Sequence, residues 1–187
     1  MRMIPLPRDG GRTLASEVKH YLEWLTVKLT ETHGKVREVT KVNEPDLQGW
    51  IEEGRRNAVD VAGMLGVPPE VYTHDPMSLI PALQEYVSRA PLNEFEQSDW
   101  VTLHSDLMSY VADYLVQKHG ARWTVAEDPA VPRGYRFVIE ATGRDEQVRR
   151  IDPVDVVMKE FSSLPIDVTR MLATAELTLH LVSSDDE

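Results

Sequence analysis

Hydrophobic residues recur at helical spacing along most of this chain, but between residues 122 and 151 they alternate with a period of two. The alternation is clearest over residues 134–141, where Tyr135, Phe137 and Ile139 occupy every second position. Successive side chains of a strand point to opposite faces, so this pattern is typical of a strand with one buried face. A block of strands between groups of helices favours an α+β fold over the β-α-β order of a parallel sheet.

We therefore predict an α+β fold with a helical N-terminal half, a small antiparallel three-stranded sheet and two C-terminal helices. The strands are predicted over residues 122–127, 134–141 and 146–151. A short turn at residues 142–145 joins the last two strands as a hairpin, and residues 128–133 are long enough for a second antiparallel pairing. The expected sheet is a three-stranded meander.

Apolar residues at three- and four-residue steps predict the helices. Gly49 and Gly54 weaken the second of them, because a glycine inside a helix costs about 1 kcal/mol relative to alanine. Residues 66–76 are rich in proline and are predicted to be a connection. The predicted helices cover residues 13–33, 45–65 with Asn43 or Glu44 near the cap, a shorter stretch from Asp75-Pro76 to about 89, 98–119, 153–161 after an Asp152 cap, and a last helix after Asp167.

A polar stretch at residues 90–97 predicts a boundary within the chain. It separates a helical subdomain, residues 1–97, from an α+β subdomain, residues 98–187. We expect the two to form one compact unit. A chain of 187 residues buries roughly 70% of the surface that its unfolded form exposes, which is enough for a self-sufficient core.

Charge and cysteine content narrow the range of partners. The chain has 31 acidic residues, 20 basic residues and no cysteine, which excludes disulfides, thiol catalysis and thiolate metal sites. A net charge of −11 opposes the phosphate backbone, so nucleic acid is not an expected partner. Residues 1–10 lack the apolar core of a secretory signal, and charged residues interrupt every apolar run before the ~18 residues of a spanning helix. We expect a soluble, cytoplasmic protein with no membrane partner.

Two common motifs of catalysis and metal binding, G-x-S-x-G and H-E-x-x-H, are absent from the sequence. His104, Ser105 and Asp106 are adjacent, but consecutive helix residues are about 100° apart, so these three cannot form a catalytic hydrogen-bond chain among themselves. The glycine-rich turn at residues 10–13 offers backbone amides and Arg12 to an anion at a helix N-terminus. We expect no catalytic residue, no metal and no cofactor.

Six arginines lie between residues 122 and 150 of this acidic chain. Arg136 is predicted to face away from Tyr135 and Phe137, so one face of the sheet presents basic side chains. Such a face is a candidate surface for binding an acidic protein patch or a second copy of the chain. Its residues are Arg136, Arg149, Arg150 and the interspersed Glu140. The interpretation that we favour is pairing within the chain, with Asp152, Asp155 and Glu160 among the acidic partners.

A second hypothesis is a small-ligand or enzyme site in a cleft between the N-terminal helices and the sheet. Its candidate polar groups are His104, Tyr114, Tyr135 and Arg136. The four tryptophans are expected in core or hinge packing, with Trp50 the most exposed of them.

Several local motifs occur together in about the last 85 residues. They are HGARW at the end of the long helix, Ile151-Asp152-Pro153 at a helix entry, and MLATAELTL in the closing helix. With these motifs, the segment from Trp100 to Val182 resembles a domain of unknown function from bacterial, especially actinobacterial, hypothetical proteins. The motifs concern packing and capping, so the resemblance transfers no active-site residue.

The missing catalytic motifs and the net charge of −11 predict a non-enzymatic interaction or regulatory module. One form of this is an immunity-like role, in which an acidic surface covers the basic cleft of a toxin. The expected partner is another protein or a second copy of this chain, which gives a homodimer.

Overall fold

The α+β prediction is confirmed by the computed structural model, which describes residues 45–131 and 133–182. Within these ranges, helices precede and follow one sheet. The elements are α1 (Leu47–Met64), α2 (Pro69–His74), α3 (Ile80–Arg89), α4 (Gln97–His119), β1 (Arg122–Glu127), β2 (Tyr135–Thr142), β3 (Val148–Ile151), α5 (Pro153–Phe161) and α6 (Val168–Thr178), with 3₁₀ turns at Pro76–Leu79 and Leu92–Glu94.

The sheet is the predicted antiparallel meander, with strand order β1-β2-β3. Trp123 of β1 pairs with Ile139 of β2, which pairs in turn with Ile151 of β3. Residues paired directly across strands share a face, so these three side chains lie on the face that packs against the core. Arg136 and Glu140 alternate with them and lie on the outer face.

Helix α4 is the centre of the fold. Its buried stripe includes Trp100, Leu107 and Leu115, and the helix packs against both α1 and α5. One hydrophobic core runs from Ala58 in α1 to Leu179 after α6, so it includes residues from both sides of the boundary at residues 90–97.

Two predicted boundaries are wrong for local reasons. Helix α1 is capped by Asp46, whose Oδ1 accepts a 2.9 Å hydrogen bond from the Gly49 amide, rather than by Asn43 or Glu44. The proline-rich connection contains α2, because Pro69 occupies the first helical turn, where its missing N–H costs nothing. The predicted helix over residues 13–33, the glycine-rich turn before it and the acidic tail lie outside the described residues.

The caps of the C-terminal helices follow the prediction. Asp152 accepts a 2.9 Å hydrogen bond from the Val154 amide at the start of α5, and Asp167 accepts one of 2.9 Å from the Arg170 amide in α6. Strand β3 begins at Val148 rather than at Glu146, because Glu146 turns the chain with φ of 63°. Among the described helices, none is both long and apolar enough to cross a membrane.

Candidate functional site

A cleft of about 380 Å³ lies between α1, α4 and the first strand of the sheet. Helix α1 contributes one wall, formed by Trp50, Glu53, Gly54, Arg56, Asn57 and Asp60. The facing wall consists of Ser105, Met108 and Ser109 of α4 together with Trp123 of β1. The volume falls within the range of small-molecule sites, and it also fits a side chain from another protein.

The cleft arises from the spacing of residues on α1. Trp50, Glu53, Gly54 and Asn57 follow one another at three- and four-residue steps, so they share a face of the helix. A Cβ atom built on Gly54 meets no heavy atom of the described residues within 4 Å, so the glycine faces the open space of the cleft. A smaller space of about 50 Å³ adjoins the cleft through Gly54, Ser109 and Trp123.

Gly49 and Gly54, two of the three glycines of α1, therefore differ. A Cβ on Gly49 lies 2.4 Å from Asp46 Oδ2, so the cap of the helix requires the glycine there. At Gly54, no contact with another described residue requires a glycine. Since a glycine within a helix costs about 1 kcal/mol, Gly54 lowers stability and keeps the cleft open.

An aromatic row runs from the cleft along the sheet. The rings of Trp50 and Trp123 are perpendicular, with centroids 6.1 Å apart. The row continues along the sheet through Phe137, whose ring stacks on that of Trp50 with the centroids 5.1 Å apart. It ends at Tyr135, whose ring centroid lies 5.4 Å from that of Phe137. The buried Trp50 Nε1–H has no hydrogen-bond partner among the described residues. Like Gly54, this group lowers the stability of the α1 side of the cleft.

Asn57 fastens α1 to α4 beside the cleft. Its amide nitrogen lies 3.1 Å from Ser109 Oγ, 3.2 Å from Asp106 Oδ1 and 3.4 Å from the Ser105 carbonyl oxygen. Burial raises the pKa of Asp106, and the hydrogen bond from Asn57 opposes that rise. The two helices are thus held at a fixed distance, which preserves the shape of the cleft.

Three exposed charges surround the cleft: Glu53, Arg56 and Asp60. None of the three forms an ion pair with another described residue. Their charges are therefore available to an incoming ligand.

The arginines of the sheet are placed differently, because each has an acidic partner within the chain. Glu140, with 6% of its surface exposed, lies between Arg122 at 2.5 Å and Arg150 at 2.7 Å. Hydrogen bonds from these two guanidinium groups lower the pKa of Glu140. On the outer face of the sheet around Glu140, these charges are therefore already paired with one another.

Arg136 lies between three carboxylates, with Asp128 at 2.5 Å, Asp152 at 3.2 Å and Asp155 at 3.6 Å. Of the acidic partners named for the intramolecular alternative, Asp152 and Asp155 therefore pair with Arg136. Glu160 instead contacts Arg170.

Arg149 does not share a face with Arg136. It pairs across the sheet with Ala141, which belongs to the core-facing side of β2, and its guanidinium binds Asp145 at 2.5 Å. This pairing lowers the pKa of Asp145. Arg136, Arg150 and Glu140 lie on the outer face, so the four residues of the predicted interaction surface are divided between two faces.

The four polar groups of the second hypothesis are dispersed. His104 is buried against α5, where it forms a hydrogen bond with the backbone of Val154 near the start of the helix and its ring lies 6.0 Å from that of Phe161 at the end of the helix. Tyr114 donates a 2.7 Å hydrogen bond to Glu176, which is also 2.7 Å from His119 Nε2. Tyr135 lies in the aromatic row, and Arg136 lies on the outer face. None of the four lines the cleft described above.

The sequence did not predict the cleft, although two of its lining residues were noticed there for other reasons. Gly54 appeared as a helix-weakening residue, and Trp50 as the most exposed tryptophan. The sequence did not indicate that Trp123 lies beside Trp50 and Gly54, because that contact depends on how β1 docks beside α1. Among the described residues no group of three metal-ligating side chains comes together.

Replacing Gly54 with alanine is expected to raise the free energy of unfolding by about 1 kcal/mol, because the methyl group enters open space and the helix gains propensity. Gly63→Ala, in the same helix and also facing open space, is the matched control and should give a gain of similar sign. Urea unfolding measures both. A loss of stability in Gly54→Ala alone would show that the space beside Gly54 is filled.

Comparisons with protein-family models, with characterised proteins and with solved structures find no match to this chain. The resemblance of residues 100–182 to a bacterial domain therefore stays a prediction.

Proposed function

We propose that this protein is a non-enzymatic interaction module that binds a segment of another protein in the cleft between α1, α4 and β1. The observation that carries the proposal is the combination, in one cavity of about 380 Å³, of an aromatic corner, charges without an ion-pair partner among the described residues, and a glycine that keeps the space open.

The contrast with the sheet supports the choice of the cleft. Arg122, Arg136 and Arg150 are engaged with carboxylates of the same chain, so a partner binding there must displace existing ion pairs. Glu53, Arg56 and Asp60 form no such pair with any residue of the described ranges. Binding at the cleft therefore costs less desolvation and rearrangement.

The lining of the cleft also favours binding over catalysis. Among the described residues, its hydroxyl groups belong to Ser105 and Ser109, and no described histidine lines it to act as their base. Asn57 donates to Ser109 Oγ and so restrains it. Localisation in the cytoplasm, proposed from the sequence, is part of this proposal.

The test is capture of the partner by matched variants. Gly54→Leu places a side chain in the cleft, and Gly63→Leu makes the same change on the exposed end of α1. We expect a partner retained by the wild type and by Gly63→Leu, and reduced at least about tenfold by Gly54→Leu. Arg150→Gln, which alters the outer face of the sheet, should retain the partner.

Thermal unfolding by circular dichroism checks that each variant is folded, and Gly54→Ala provides a smaller obstruction should leucine unfold the chain. Two results contradict the proposal. One is a partner held equally well by Gly54→Leu and the wild type. The other is a partner lost from Arg150→Gln, which assigns binding to the sheet.

A further inference from the structure

We propose that the group entering the cleft is a cationic side chain, arginine or lysine, on a basic segment of the partner protein. The inference rests on the proposed function and identifies the chemistry that its site selects. Three features of the cleft support it: the aromatic row, the carboxylates around it and the acidity of the whole chain.

The aromatic row already holds a guanidinium at its far end. The Arg133 guanidinium carbon lies 5.2 Å from the centre of the Tyr135 ring and 5.3 Å from that of Phe137. These distances lie within the ~6 Å over which a cation is attracted to an aromatic face. The same row ends in the cleft at Trp50 and Trp123, and indole is the aromatic side chain that binds cations best.

Carboxylates are placed to complete a cation site at this end. Glu53 and Asp60 line the cleft without ion-pair partners among the described residues. Asp113, with 6% of its surface exposed, lines the adjoining space. Hydrogen bonds reach Asp113 Oδ2 from Tyr72 at 2.7 Å and from Gln117 at 2.6 Å, and both donors are uncharged.

Two cations of the chain lie in the same region and weaken the negative potential. Arg56 lines the cleft, and Arg55 lines the adjoining space. The acidic residues Glu53, Asp60 and Asp113 line the same two spaces, so acidic residues outnumber basic ones in the described part of the lining. The net charge of −11 adds a long-range attraction for a basic partner.

The test uses three peptides: acetyl-Gly-Arg-Gly-amide, its citrulline analogue, which is uncharged and similar in shape, and acetyl-Gly-Glu-Gly-amide. Nuclear magnetic resonance follows the indole N–H signals of Trp50 and Trp123 in the full chain. We expect the arginine peptide to shift both signals saturably, in the millimolar range. The citrulline peptide should bind at least about fivefold more weakly, the loss expected when cation–π and carboxylate contacts are removed.

Matched variants locate the effect. The double variant Glu53→Gln with Asp60→Asn should bind the arginine peptide at least about threefold more weakly than the wild type does. The control is Glu52→Gln with Glu70→Gln, which changes the net charge equally at exposed sites outside the cleft lining, and should bind like the wild type. Added salt should weaken binding of the arginine peptide to the wild type and to the control variant, both of which keep Glu53 and Asp60.

Equal affinity for arginine and citrulline overturns the inference, because it removes the role of charge. Stronger shifts from the glutamate peptide overturn it in favour of an anion site at Arg56. Silence of both indole signals with all three peptides also overturns it. None of these results bears on the capture experiment, in which dependence on Gly54 tests the cleft as an interaction site whatever the charge of its ligand.

Discussion

Replacing Glu160 with alanine is expected to lower the free energy of unfolding by about 2 kcal/mol, because the variant removes a buried carboxylate that accepts hydrogen bonds from the Asp167 amide and the partly exposed Arg170 guanidinium. Glu160 is 4% exposed and joins the end of α5 to the start of α6. Its Oε1 accepts a 2.7 Å hydrogen bond from the Asp167 amide, and Arg170 donates to both carboxylate oxygens. Urea unfolding at neutral pH measures the loss.

Glu160→Gln is the informative companion variant. The amide oxygen of glutamine can still accept from the Asp167 amide, but it loses the charge that pairs with Arg170. We expect about half of the loss seen with alanine. A change of less than about 0.5 kcal/mol in Glu160→Ala would show that the α5–α6 connection does not depend on this contact.

Acidification is expected to destabilise the protein through His104, whose side chain is 6% exposed. Burial lowers the pKa of His104 from 6.5 to about 4, and a hydrogen bond with the backbone of Val154 opposes that shift. Between these two values the unfolded chain binds the proton and the folded chain does not. Stability therefore falls as the pH drops from about 7 to about 4, by about 3 kcal/mol from this group alone.

Carboxylates also titrate in this range, so the comparison with a variant isolates the histidine. The difference in unfolding free energy between the wild type and His104→Gln should shift by about 3 kcal/mol between pH 7 and pH 4. The control variant is His74→Gln, which makes the same substitution at an exposed position of α2. Parallel curves for His104→Gln would contradict this prediction, because they would show that His104 binds its proton equally well in the folded and the unfolded chain.

Local patterns were sufficient to predict most of the fold. The alternation in β2 and the stripe of α4 each reflect burial of one face, and the caps at Asp152 and Asp167 reflect amides that need an acceptor within a few residues. Helix α2 was missed because its prolines resemble a connection, although proline is accepted in a first helical turn.

The sites depended on contacts that local patterns do not contain. Period-two alternation placed Arg136 on the outer face, but the strand register decides that Arg150 lies opposite Glu140 and that Arg149 lies on the other face. The cleft depends on the docking of β1 beside α1, which brings Trp123 to Trp50. Helical periodicity places residues on a face but does not indicate which faces leave a space between them.

The most direct measurement of the proposed function is the dissociation constant of the captured partner for the wild type, Gly54→Leu and Gly63→Leu, determined with purified proteins. Binding in the cleft predicts that Gly54→Leu weakens the complex at least about tenfold while Gly63→Leu stays within about twofold of the wild type. Equal dissociation constants for all three, with each variant folded, would contradict binding in the cleft.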